Sequence, residues 1–167
     1  MRQQKRFCSV CGEQFELITR DSRIRLYCGH CDRIRYENPL PATAAVVFSG
    51  DNRLLLVKRA MEPRTGEWCL PGGFVELDES PVAGVVRELA EETGLIGKVE
   101  HLIDCVYEDS PFYGPLIIIG YQVASQGGTL KAGDDAAEVR YFPLADLPQV
   151  AFDSHQAIIN QIKGRRR

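Results

Sequence analysis

Three glutamates crowd one face of a short, sharply bounded helix, and this constrains the chain more than any other feature. Glu88, Glu91 and Glu92 lie in the run from Gly73 to Leu95. At about 100° per residue they fall within an arc of roughly 100°. Glu88 and Glu92 are an i,i+4 like-charge pair, which costs an isolated helix about 0.2–0.5 kcal/mol. A hard divalent cation reverses that cost, because Mg²⁺ or Mn²⁺ takes oxygen ligands and neutralises them. The plain alternative is a solvated acidic face.

The boundaries of this helix are written in its sequence. Ser80 is the expected N-cap and Pro81 sits at the first helical position, where its missing N–H is no loss. Gly94 suits the left-handed position past the last turn. Val82, Val85, Val86 and Leu89 form an apolar stripe that packs on a core. Gly84 falls on the carboxylate side, where a close approach of metal or substrate is the expected reason for a mid-helix glycine costing about 1 kcal/mol.

The spacing resembles the Nudix box at each defining position: Gly73, five residues, Glu79, seven residues, Arg87-Glu88, Leu89, one residue, Glu91-Glu92, one residue, Gly94, Leu95. Asp78 stands where many relatives have glycine, outside the defining positions. The resemblance implies an α/β fold, an α/β/α sandwich around a mixed sheet, that hydrolyses a nucleoside diphosphate linked to a second group. It makes Glu91 and Glu92 the main metal ligands and Glu88 a further ligand or a base acting through water. The Gly72 carbonyl is a further expected ligand. Arg87 is the structural arginine, with Glu91 or Glu79 as its partner. The chemistry fits: cations offset the charge that repels a nucleophile from a diphosphate.

Cys8, Cys11, Cys28 and Cys31 form two Cys-x-x-Cys pairs separated by sixteen residues, the spacing of a four-cysteine zinc ribbon. Thiolates so spaced close a structural tetrahedral site; two disulfides are the alternative. The run Met1–Arg6 has no apolar core, so a reducing cytoplasm is expected, where such pairs hold metal more often than disulfides. His30 is expected to be a knuckle residue, and Cys69 and Cys105 buried small apolar side chains.

Pro39 and Pro41 mark a junction, giving an expected ribbon at 1–38 and hydrolase domain at 39–167. Residues 1–38 hold eight Lys/Arg and five Asp/Glu, leaving twelve and eighteen of the totals of 20 and 23. Without a basic run interleaved with aromatics, the ribbon is read as a packing or dimerisation module rather than a nucleic-acid binder. No apolar stretch approaches the roughly 20 residues that span a membrane.

In the second domain, residues 42–49 and 53–59 read as a strand and its returning strand about the turn Gly50-Asp51-Asn52. Residues 98–108, 116–124 and 137–142 read as further strands, and 152–163 as a terminal helix. The Arg165–Arg167 tail reads as frayed and solvated.

From the ribbon to a terminal Ala151-Phe152-Asp153-Ser154 segment, the order resembles zinc-ribbon Nudix hydrolases. These are the plant-type FAD and ADP-ribose pyrophosphatases and, more distantly, NADH pyrophosphatases. The NADH-specialist marker after the box is missing; the region reads Glu108-Asp109-Ser110-Pro111-Phe112-Tyr113-Gly114-Pro115. The resemblance implies cleavage of an ADP-linked metabolite of the ADP-ribose or FAD class to AMP and a phosphorylated product. Its partners are a nucleotide-sugar or dinucleotide substrate and a second copy of the chain, with no nucleic acid. An NADH or NAD-cap hydrolase, or a non-enzymatic ADP-ribose sensor, stands as the alternative. Phe112 and Tyr113 are expected to stack on a base and Arg59 to reach substrate phosphate. Glu138, with Asp135 as second choice, is expected to place water or metal. Trp68 is expected to pack near the site.

Overall fold

The computed structural model describes residues 5–165. The first four residues, Arg166 and Arg167 lie outside them, as does the Arg165 side chain, so most of the basic tail is not described. Two units divide at Pro39 and Leu40.

The first unit is a three-stranded antiparallel sheet of β1 (Glu16–Arg20), β2 (Arg23–Cys28) and β3 (Arg33–Arg35). Asp21 and Ser22, both at positive φ, form the two-residue turn between β1 and β2, whose twist matches that of the paired strands. Among its described apolar residues, only Cys8, Leu26 and Cys28 are buried. So small a core leaves metal binding to supply much of the stability.

The second unit holds two three-stranded sheets. In one, β8 (Gly114–Gly128) lies between β4 (Leu40–Val46), which it pairs in parallel, and β7 (Leu95–Ser110), which it pairs antiparallel. In the other, β5 (Arg53–Arg59) lies between β6 (Trp68–Cys69) and β9 (Ala136–Pro143), both antiparallel to it. The sheet content is thus mixed, as expected. The hairpin reading of residues 42–59 needs correction. Strand β5 does not return along β4; the two segments pair beside the turn, through the antiparallel Phe48–Leu54 bridge and the bonds from the Leu55 N–H to the Val47 carbonyl and from the Ser49 N–H to the Arg53 carbonyl, both 2.9 Å, and then diverge. The chain changes sheets at this turn.

Both faces of these strands are covered, which explains their unbroken apolar runs. Ala42, Ala44, Val46, Leu54 and Leu56 pack with Ile158, Ile159 and Ile162 of α2 (Asp153–Arg165). The alternate residues Ala45, Val47 and Leu55 pack with Val85 and Leu89 of α1 (Pro81–Thr93). Alternation along a strand therefore sends successive side chains to different helices. No helix among the described residues is long and apolar enough to cross a membrane.

Helix α1 is capped as its sequence requires. The Ala83 N–H donates to Ser80 Oγ at 3.2 Å, Pro81 opens the first turn, and Gly94 at φ 70° donates its N–H to the Ala90 carbonyl at 2.9 Å. Strand β5 has the expected bounds, and the other element ends shift by one to four residues, mainly because β7 and β8 continue pairing past their apolar stretches.

Candidate active site

The segment leading into α1 is bonded to the exposed edge of β4. Thr43 donates its N–H to the Gly73 carbonyl at 2.8 Å, and Ala45 to the Pro71 carbonyl at 2.7 Å. This brings the chain against strand backbone at Gly72, where φ is 151° and an added Cβ would run into the Thr43 carbonyl. At Gly73 an added Cβ would lie 2.5 Å from Glu88 Oε1. The expectation for Gly84 needs correction. Its close neighbour is the Glu79 carboxylate, 2.9 Å from where a Cβ would sit.

Arg87 organises the loop and the helix together. Its Nε and Nη2 grip the Glu79 carboxylate at 3.1 and 2.7 Å, and Nη2 also donates to the Phe74 carbonyl at 3.1 Å. Nη1 donates to Glu88 Oε1 and to Glu91 Oε2, both at 2.8 Å. All five guanidinium donors are therefore engaged. Arg87 holds the Glu79 carboxyl below its ordinary range, and Glu79 in turn leads in raising the Arg87 pKa. Both expected partners are present, with Glu88 besides.

Glu92 is the most deeply set of the three helix carboxylates, 6% exposed, and accepts the Gly72 N–H at 2.9 Å. Burial pushes its pKa up to about 8; the Gly72 bond and Arg59 act against this, while Glu88 and Asp135 add to it. Glu88 is also raised, chiefly by burial, with Arg87 opposing. Buried carboxylates driven toward protonation are stabilised by any cation that enters beside them.

These side chains face one cleft of about 340 Å³. Glu88, Glu91, Glu92, Gly72, Asp134 and Asp135 form one part of its wall. Arg59, Glu108, Tyr113, Phe152, Ser154 and His155 form another. Arg59 donates Nε–H to the Pro63 carbonyl at 2.6 Å and lies 5.2 Å over the Phe152 ring. Tyr113 is held edge-on by Phe74 at 5.1 Å. Ser154 donates both its N–H and its hydroxyl to Glu108.

Not every expected residue arrives there. Glu138 is outside the cleft wall and pairs with Arg140 along β9. The chain bends before β9 begins, so Asp134, at φ 48°, and Asp135 reach the cleft instead. Phe112 is 64% exposed and outside the wall, meeting Tyr113 at 4.8 Å. Trp68 packs edge-on against Phe142 at 4.8 Å. Cys69 is buried in the cleft wall, whereas Cys105 is exposed, contrary to the expectation that both are buried. Sequence reasoning missed Asp134, Ser154, His155 and Glu108 as cleft residues; a serine and histidine opening a terminal helix were the only local signal.

In the ribbon, the Sγ atoms of Cys8, Cys11, Cys28 and Cys31 all lie within 4.8 Å of one another. Sulfurs sharing a tetrahedral Zn²⁺ with bonds of about 2.3 Å sit roughly 3.8 Å apart. None of the six cysteines is disulfide-bonded in this structure, and Cys11 Sγ lies 3.5 Å from Cys28 Sγ. The Val10 N–H, 3.4 Å from Cys8 Sγ, leads in pulling that thiol down to about 6. Among the described residues, no group of three or more carboxylates is drawn so tightly together.

An α/β/α sandwich with a carboxylate-walled cleft, carrying a four-thiol ribbon, defines a hydrolase class. The NUDIX domain family matches residues 38–161, and the Nudix N-terminal zinc-ribbon family matches 6–37. The chain belongs to the Nudix family and is a Nudix hydrolase. It is 46% identical over 126 residues to an ADP-ribose pyrophosphatase of Methanocaldococcus jannaschii, covering 74% of this chain and 73% of that one. An NAD-capped RNA hydrolase of Vibrio atlanticus is 30% identical over 156 residues, 90% of this chain, which spans only 54% of that relative's length. A Nudix hydrolase structure from Nitrosomonas europaea has a TM-score of 0.83 at 28% identity, covering 97% of this chain and 92% of that one.

Proposed function

We propose that the chain is a divalent-metal-dependent pyrophosphohydrolase that cleaves ADP-ribose, or a closely related ADP-linked metabolite such as FAD. The observation that carries the reading is the buried Glu92 carboxylate seated on the Gly72 N–H, sharing one cleft with Glu88 and Glu91. The donor set is all oxygen, which suits Mg²⁺ or Mn²⁺ rather than a softer ion. Glu88, Glu91, Glu92 and the Gly72 carbonyl would hold it. When bound, the ion neutralises diphosphate charge and lowers the pKa of a coordinated water.

The remaining roles belong to the chain. Arg87 presents Glu88 and Glu91 at fixed positions through one Nη1. Arg59 offers positive charge to the diphosphate. Tyr113 presents a ring edge or face to the nucleoside. Asp135, with Asp134 beside it, takes the water-placing role first assigned to Glu138. Water oxygen bonds to one phosphorus, the bridging P–O bond breaks with its electrons on the departing phosphate, and the water proton is lost to a carboxylate. AMP and ribose 5-phosphate are the products from ADP-ribose.

Substrate choice rests on the similarity to the M. jannaschii relative. The chain is proposed to comprise a zinc-held structural ribbon at 1–38 and a hydrolase domain at 39–167, in a cytoplasmic protein that pairs with a second copy and binds no nucleic acid. The test is a panel of ADP-ribose, FAD, NADH and 8-oxo-dGTP with Mg²⁺ or Mn²⁺. ADP-ribose should give the highest kcat/KM with AMP as product. Preference for NADH would transfer the reading to the NAD-cap hydrolase class, to which the second relative's name belongs.

A further inference from the structure

Inside the cleft wall, apart from the box, one polar side chain is buried with half of its hydrogen-bonding capacity unused. His155 is 7% exposed, so more than nine-tenths buried, and lines the cleft. The Leu70 N–H donates to its Nδ1 at 3.2 Å. A ring nitrogen that accepts carries no proton, so in the neutral ring the hydrogen sits on Nε2. No described residue accepts from Nε2. It is also absent from the described side-chain atoms that are both sealed from solvent and unpartnered, so it keeps some accessible surface, and its residue lines the cleft. The Phe152 ring fixes the imidazole plane, edge-on at 5.2 Å.

We infer that His155 Nε2–H is a preset hydrogen-bond donor to a phosphoryl oxygen of the bound diphosphate. The inference rests on the pyrophosphohydrolase reading and deepens it by adding a substrate-binding residue. Two observations choose a phosphoryl oxygen as the acceptor. Glu108, a carboxylate of the same cleft wall, has its Oε2 engaged by both donors of Ser154 and accepts no bond from His155. The charge of Arg59 is felt at both Glu92 and His155, so a cation lies within electrostatic reach of the carboxylates and of this donor. An anionic acceptor placed there meets two donors, one charged and one neutral, in a water-poor wall where directed dipoles count for more. Burial first, and Arg59 second, push the ring down to about 4, so it stays neutral with its tautomer unchanged at working pH.

Two substitutions separate this role from a structural one in the full-length, zinc-loaded protein. In His155→Asn the amide oxygen replaces Nδ1 and keeps the Leu70 bond, while the cleft donor is lost. In His155→Gln the amide nitrogen falls near the Nε2 position, while the Leu70 acceptor is lost. ADP, which carries the diphosphate common to all candidate substrates, is titrated calorimetrically with Mg²⁺; melting temperature and ADP-ribose KM are measured alongside. The Asn variant should melt near the wild type, bind ADP roughly tenfold more weakly, and show a similar rise in KM. The Gln variant should melt lower yet recover most of the affinity. Wild-type affinity in the Asn variant overturns the inference, as does affinity in the Gln variant no better than in the Asn variant. If the Asn variant fails to fold, the Gln variant decides, with a loss beyond tenfold counting against the inference. Wild type that binds ADP but does not turn over ADP-ribose defeats only the substrate assignment, and binding still decides the role of His155. Wild type that does not bind ADP defeats both.

Discussion

The Gly72 N–H points at the Glu92 carboxylate across 2.9 Å, joining the loop that precedes α1 to the helix's last turn. An amide Oε1 can accept the same bond, so Glu92→Gln removes charge and keeps the contact. Because the carboxylate is buried, the variant should melt no lower than wild type in protein free of Mg²⁺ and Mn²⁺. Turnover should fall at least a hundredfold, since one ligand oxygen and its charge are gone. Phosphate release after phosphatase coupling measures this; retained full activity removes Glu92 from the metal site.

Gly72 and Gly73 adjoin in sequence but should fail differently. Alanine at 72 would drive its Cβ into the Thr43 carbonyl, rigid backbone on both sides, at a φ that side chains avoid. Gly72→Ala should lose about 3 kcal/mol or more of stability in urea unfolding. Alanine at 73 meets only the movable end of Glu88. Gly73→Ala should keep its unfolding midpoint within about 1 kcal/mol while kcat drops tenfold or more, because Glu88 is displaced.

Arg87 uses a planar fork that lysine cannot copy. Arg87→Lys leaves the Glu79 carboxylate and the Phe74 carbonyl with fewer donors than they now have. A stability loss of about 2 kcal/mol is expected, with kcat reduced more than KM is raised, since Glu88 and Glu91 lose their common anchor. Urea melts and steady-state kinetics on the same preparation check both halves.

His155 also predicts a pH dependence. Its pKa is depressed from 6.5 to about 4, so the unfolded chain takes up a proton below about pH 6.5 and the fold does not. The associated stability is present above pH 6.5 and disappears as pH falls toward 4, on the order of 3 kcal/mol in all. Unfolding free energies at pH 7 and 4.5 should therefore converge less steeply for His155→Asn than for wild type. Identical slopes would refute the assignment.

For the ribbon, metal analysis of protein purified without added zinc should give about one Zn per chain. Cys28→Ser should abolish that content and speed hydrogen exchange in β1 and β2, because few apolar side chains there are buried. A stable ribbon lacking zinc would contradict the assignment.

The sequence by itself determined the features that are local in the chain. Capping of α1 by Ser80 and Gly94 is set by the residues at its ends, and the shared face of Glu88, Glu91 and Glu92 and the Arg87–Glu91 pair follow from helical periodicity, which fixes neighbours three and four residues apart. The cysteine spacing likewise dictated four converging thiols. Tertiary structure alone decided which distant segments share the cleft. Glu138 and Asp135 are three residues apart, yet Glu138 pairs with Arg140 along β9 while Asp135, before the strand begins, lines the cleft. Phe112 and Tyr113 are adjacent, yet only Tyr113 finds the Phe74 edge. His155 gains its meaning from the Leu70 N–H, 85 positions earlier. Contacts of that separation are selected by how sheets and helices pack against one another, and no local pattern in the chain encodes them.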